Sequence, residues 1–149
     1  MTMQKNYALV GVGSRAQMYL EAIAGPHADV ARLVAWADTN PGRMAWSAER
    51  FPGLGEPAAF ALDELSDTVR ERAIDTVIIT TPDATHAHYI VTALEAGADV
   101  VVEKPLTTTA EGVRRIADAV ERTGRDVTIT FNYRYAPRNT ALRQLIASG

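Results

Sequence analysis

Two short runs, Val77-Ile78-Ile79 and Val100-Val101-Val102, are apolar at every position, and this excludes most ways of using them. A strand with one face in water alternates polar and apolar residues. These runs do not alternate, so both of their faces must be covered, as in a parallel sheet with helices on each side. Similar runs recur along the chain with longer amphipathic stretches between them. The expected strands cover residues 7–12, 32–37, 76–80, 99–102 and 126–131, with a short one near 58–60. The expected helices cover 16–24, 41–51, 62–73, 84–96 and 109–123. Strand alternating with crossover helix gives an α/β domain with a doubly wound parallel sheet. At 149 residues the chain has room for one such domain and one hydrophobic core.

The helix ends carry their own signals. Asn40-Pro41 reads as a cap followed by a first-turn proline, and Gly97 and Gly124 stand where left-handed glycines close helices. Thr108 with Glu111 offers a capping box at the start of the last long helix.

A net charge of −3 gives no reason to expect a polyanionic partner, so nucleic acid is disfavoured. The chain has no cysteine, which removes disulfides and thiolate metal sites and is compatible with a reducing compartment. No metal site is expected. Met1-Thr-Met-Gln-Lys-Asn leads within a few residues into 7–12, too short an apolar stretch for a signal segment or a membrane span. The reading is a cytoplasmic protein with no membrane contact.

The first motif with chemical content is Gly11-Val12-Gly13-Ser14-Arg15-Ala16, a G-x-G-x-x-A sequence between an expected strand and an expected helix. In such a turn the first glycine permits a tight bend and the second removes a side chain that would block a phosphate. The small third residue lets helix and strand pack closely, while helix amides face a pyrophosphate. The plain alternative is an ordinary glycine-rich turn. Asp38 follows 22 residues after Ala16, about the interval at which a carboxylate reaches the two hydroxyls of an adenosine ribose. It could instead serve the turn Asp38-Thr39-Asn40-Pro41, although Asn40 is better placed to cap. A fixed negative charge here would repel a 2′-phosphate and favour NAD over NADP. Arg43, one turn on, could pair with that phosphate, stack on adenine, or simply be solvated.

The strand ending at Thr80-Thr81-Pro82-Asp83 should lie beside the first strand, with its end facing the glycine turn across the topological switch point. Asp83 can also be a helix cap. His86 and His88 are two apart and so turn to different helix faces; His86 is the candidate for the crevice and His88 for surface or packing. The next strand runs from apolar residues into Glu103-Lys104-Pro105. Lys104 could orient a substrate hydroxyl and assist its proton transfer; the alternative is a solvated ion pair with Glu103.

In this order, Gly-x-Gly-x-x-Ala, Ala37-Asp38-x-Asn40-x-x-Arg43, Thr81-Pro82-Asp83-x-x-His86 and Glu103-Lys104-Pro105 resemble the glucose-fructose oxidoreductase and inositol dehydrogenase family (Gfo/Idh/MocA). The resemblance continues through Phe131-Asn132-Tyr133-Arg134-Tyr135-Ala136-Pro137, similar to that family's hinge strand, and a helix leading out of its nucleotide domain. It implies a Rossmann NAD(P)-binding domain over 1–135 and the start of a connecting helix over 136–149, with the family's second, substrate-binding α/β domain absent. It implies NAD, with NADP as the alternative, held by Gly11, Gly13, Ser14, Arg15, Ala16, Asp38, Thr39 and Arg43 on the adenosine and phosphate side. On the nicotinamide side it implies Thr81, Pro82, Asp83, His86, Glu103, Lys104 and Asn132. Asp83 stands where many relatives carry asparagine. Lys104 would be the catalytic residue of this part, acting on a sugar, polyol or related small molecule, within a homo-oligomer. A relative that retains NAD while cleaving glycosides, and a nucleotide-sensing protein without turnover, are the alternatives.

Overall fold

The computed structural model describes residues 4–149; Met1 to Met3, read above as part of a chain start without a signal segment, lie outside the described residues. Among the described residues six parallel strands form one sheet in the order β3-β2-β1-β4-β5-β6. They are β1 (Lys5–Val10), β2 (Ala31–Ala37), β3 (Ala58–Ala59), β4 (Thr76–Ile79), β5 (Asp99–Glu103) and β6 (Val127–Thr130). The helices are α1 (Gln17–Ala24), α2 (Pro41–Arg50), α3 (Leu65–Glu71), α4 (His86–Ala96), α5 (Ala110–Thr123) and α6 (Pro137–Ala147).

The uninterrupted apolar runs do what their composition demands. Val77, Ile79, Val100 and Val102 enter the core on one face, among residues of α3, α4 and α5. Ile78 turns to the other face, where it meets Leu9 and the buried side of α1. Alternate residues of one strand thus fill two cores, each fully buried aliphatic side chain contributing about 1.5–3 kcal/mol. β1 ends at Val10 rather than Val12 because Gly11, whose N–H still donates to Ala37 O at 2.8 Å, takes φ +88° and turns the chain out of the strand. β5 runs one residue further than expected, through Glu103, which pairs with Thr130 of β6.

The caps bear out the sequence in three places and correct it in one. The Asn40 side chain accepts from Gly42 N at 2.9 Å, and Gly97 and Gly124 close α4 and α5 in the left-handed region. At α5, however, the cap is Thr109, whose hydroxyl accepts from Gly112 N at 3.0 Å, so the box expected of Thr108 and Glu111 does not form. The chain already turns into the helix at Ala110, which puts Thr109, not Thr108, three residues from an amide without a partner. The segment read as a hinge strand also differs: Asn132–Tyr135 is a 3-10 turn.

Candidate functional site

At the carboxyl edge of the sheet, β1 and β4 are neighbours, but the chain leaves β1 toward α1 on one face and leaves β4 toward α4 on the other. The loops diverge and leave a cleft of about 240 Å³. Gly11, Gly13, Asp38, Thr39, Arg43, Thr81 and Pro82 all line it, joined by Leu62, Thr80, Thr85 and Tyr89, which the sequence did not single out.

The two glycines of the turn have different reasons to be there. Gly11 is required by the protein: at φ +88° an added Cβ would lie 2.9 Å from backbone atoms of Thr80 and Thr81. The Thr80 hydroxyl donates to Gly11 O across the same approach. Gly13 is not required by the protein. Its φ of −87° and ψ of −164° suit any residue, and among the described residues, its chain neighbours aside, no atom lies within 4 Å of where its Cβ would stand. Gly13 lines the cleft, with open space where a side chain would stand, at the start of the 3-10 turn Ser14–Ala16 that leads into α1. Ala16 is fully buried, in keeping with its expected packing role. Ser14 lies on the other side of Gly13, in a groove with Gln17, Asn40, Arg43 and Trp46.

Asp38 is more occupied than its spacing suggested. One carboxylate oxygen accepts from Val12 N and the other from Asn40 N, both at 2.7 Å, and the side chain is 5% exposed. The carboxylate therefore ties the end of β2 to the glycine turn, while two oxygens still leave lone pairs for a ligand. Arg43 lies 3.5 Å from Asp38 with its own side chain half exposed, a loose pair of little stabilising value.

Glu103 and Lys104 are not an ion pair. Successive residues at a strand end point to opposite sides: Lys104 is exposed, while Glu103 is 4% exposed. Oε1 of Glu103 lies 3.0 Å from the Tyr19 hydroxyl of α1 and 3.0 Å from the Thr130 hydroxyl of β6, both donors. Tyr19 and Thr130 are 111 residues apart and themselves 3.0 Å apart, so nothing local in the sequence marks the triangle. Burial, reinforced by the charge on Glu103, pushes the Tyr19 phenol up to about 12. The unfolded chain ionises this group near its ordinary value of 10. Its contribution to stability is thus complete below about pH 10 and is lost as pH rises toward about 12. Denaturant titrations at stepped alkaline pH should show this fall in the wild type, and a Tyr19→Phe variant should lack that component. Equal alkaline slopes for the two would refute the assignment.

His86 departs from its expected place. It is fully buried, with Nδ1 2.8 Å from Pro105 O and Nε2 3.0 Å from Thr81 O, beneath the cleft wall rather than in the crevice. Asp83 is exposed at the first position of a 3-10 turn before α4, and its side chain caps nothing. His88 is exposed, edge-on to Tyr89. Arg15, Lys104 and Asn132, far apart in sequence, line a second cavity of about 190 Å³ with Phe131 and Tyr133. Among the described residues no cluster of His, Asp and Glu could hold a metal ion.

The family model for an oxidoreductase family with an NAD-binding Rossmann fold (Gfo/Idh/MocA) matches residues 5–131. The chain belongs to this family. Among Gfo/Idh/MocA relatives, a Bacillus subtilis protein described as an oxidoreductase, YteT, is 32% identical over 97% of this chain and 34% of its own length. The inositol 2-dehydrogenase of Rubrobacter xylanophilus is 33% identical over 95% of this chain and 39% of its own. The WlbA dehydrogenase of Chromobacterium violaceum, solved with NADH and UDP-GlcNAcA, superposes with a TM-score of 0.83 at 25% identity, over 99% of this chain and 41% of that one. The chain thus spans well under half the length of these relatives.

Proposed function

We propose that this chain is the nucleotide-holding part of an NAD-dependent oxidoreductase that acts on a hydroxyl or carbonyl carbon of a sugar, polyol or related small molecule. The observation that carries the reading is Gly13, a residue that neither backbone conformation nor packing requires, set where its missing side chain opens the cleft at the switch point. A pyrophosphate passing there uses that space and the amides of the following turn. Asp38 turns its remaining lone pairs to the ribose hydroxyls, and its charge disfavours a 2′-phosphate. NAD(H), when bound, supplies or accepts the hydride. Lys104 donates a hydrogen bond from its ammonium to the substrate oxygen and stabilises the negative charge that develops there. Arg15 and Asn132 share the Lys104 cavity and orient what enters it.

Residues 1–135 form the nucleotide domain in this reading, and 136–149 begin the connection to a substrate domain. The exposed apolar side chains of Phe131, Tyr133, Tyr135, Leu142, Leu145 and Ile146 are suited to such a neighbour. The complete protein works in the cytoplasm as a homo-oligomer and without nucleic acid; the acidic balance and lack of cysteine of this chain support a reducing compartment and no polyanionic partner. Among the described residues no helix is long and apolar enough to cross a membrane.

Calorimetric titration of the chain with NADH and with NADPH tests the reading. Asp38→Asn is the informative variant, since it removes the charge while keeping an acceptor for the glycine turn. NADH should bind about tenfold or more tightly than NADPH, and the variant should lose most of that preference. Tighter binding of NADPH to the wild type would reject Asp38 as the selector, and binding of neither would reject the nucleotide reading.

A further inference from the structure

We propose that His86 is a positioning residue, a buried imidazolium whose two N–H groups fasten the turn carrying Lys104 to the loop that follows β4. The inference starts from what its neighbours can offer. Both ring nitrogens lie at hydrogen-bond distance from backbone carbonyl oxygens, Nδ1 at 2.8 Å from Pro105 and Nε2 at 3.0 Å from Thr81. A carbonyl oxygen only accepts, and a neutral imidazole carries a single N–H, so one carbonyl would face a bare lone pair. Turning the ring over puts carbon atoms where the nitrogens stand and leaves both carbonyls without an N–H. Only the doubly protonated ring satisfies both contacts.

Burying that charge is costly, and the ring is fully buried. The charged groups at this end of the sheet are of both signs, Asp38, Asp83, Glu103 and Glu111 with Arg15, Arg43 and Lys104, and the ring's own hydrogen-bond partners are the two carbonyl oxygens, so those two contacts are what offsets the cost. The two acceptors belong to different walls of the site: Thr81 lines the cleft, and Pro105 is the residue after Lys104. One side chain therefore sets the separation of the loop that meets the nucleotide from the turn that presents the ammonium. The importance of this latch for turnover rests on the oxidoreductase reading; the latch itself does not.

The ligand-free chain, labelled with nitrogen-15 in the imidazoles of His27, His86 and His88, tests the charge directly. A long-range proton–nitrogen spectrum at about pH 7.5 should show hydrogens on both nitrogens of one ring, assigned to His86 by its loss in His86→Gln. Sequential assignment of the wild-type chain identifies the same ring if that variant does not fold. A His86 signal with one bare nitrogen would overturn the imidazolium. Positioning is tested through the two lysines, Lys5 and Lys104, tagged with carbon-13 methyl groups. In His86→Gln with a native circular dichroism spectrum, the Lys104 resonance should move while that of Lys5 stays. An unmoved Lys104 resonance would overturn the positioning role. A wild-type chain with the doubly protonated ring that fails to bind NADH would sink the nucleotide reading alone.

Discussion

A Gly13→Ala chain folds as well as the wild type and binds NADH at least tenfold more weakly. The backbone at Gly13 already has dihedrals that alanine adopts freely, and among the described residues no atom beyond the chain neighbours approaches the new methyl group within 4 Å. Folding loses nothing; by restricting the unfolded chain, the substitution adds about 0.4–1 kcal/mol of stability. The methyl group instead takes up open space beside the backbone of Gly13, a residue that lines the cleft, where a phosphate would have to approach. A displacement there costs about 1.4 kcal/mol or more of binding energy, which is the tenfold loss. Denaturant melting and calorimetry on the same preparation check the two halves. Unchanged NADH affinity would mean that the phosphates do not cross Gly13, and a marked loss of stability would mean that the glycine serves the fold after all.

Gly11→Ala, two residues earlier in the same motif, gives the opposite result. A left-handed conformation costs a residue with a Cβ about 1–2 kcal/mol. The Cβ would also press to 2.9 Å on backbone atoms of Thr80 and Thr81, which have no flexible end to move aside and where overpacking costs about 1–3 kcal/mol. Together these remove about 2–5 kcal/mol from a total that for a domain is about 5–15. The melting temperature should fall by about 10 °C, with any loss of NADH affinity following from the fold. A Gly11→Ala chain as stable as the wild type would show that β1 and β4 can separate at this edge, and that the turn is less rigid than its geometry implies.

This contrast marks how far the motif could be read in advance. G-x-G-x-x-A between strand and helix was legible as a tight turn at the edge of the sheet, and the apolar runs were legible as strands buried on both faces, because both signals are local. The partners of Asp38 were not. Its distance from Ala16 along the chain indicated a carboxylate near the turn, but Val12 N and Asn40 N come to it only once β1 and β2 are side by side. His86 was assigned to the crevice from its place near the start of α4, and its burial depends on Pro105 arriving from the end of β5. Tyr19 and Thr130 carried no motif at all; two strands of the sheet, β5 and β6, and the helix α1 must assemble before the two hydroxyls reach Glu103. The cap at Thr109 was missed by one residue because adjacent threonines offer the same chemistry, and only the point where the chain enters the helix chooses between them.

The order of the strands also sets a timetable for synthesis. β1 lies at the centre of the sheet, paired on one side with β2 and on the other with β4. Its last residue is Val10, and β4 begins at Thr76, so at a translation rate of about 5–20 residues per second one edge of the central strand stays open for about 3–13 s. During that interval β1 and β2 form a half-sheet whose inner edge, fully apolar at Ala8, Leu9 and Val10, is a template for any strand that reaches it. A nascent chain of this kind gains from slow release and from chaperones that hold the edge until its own fourth strand is made.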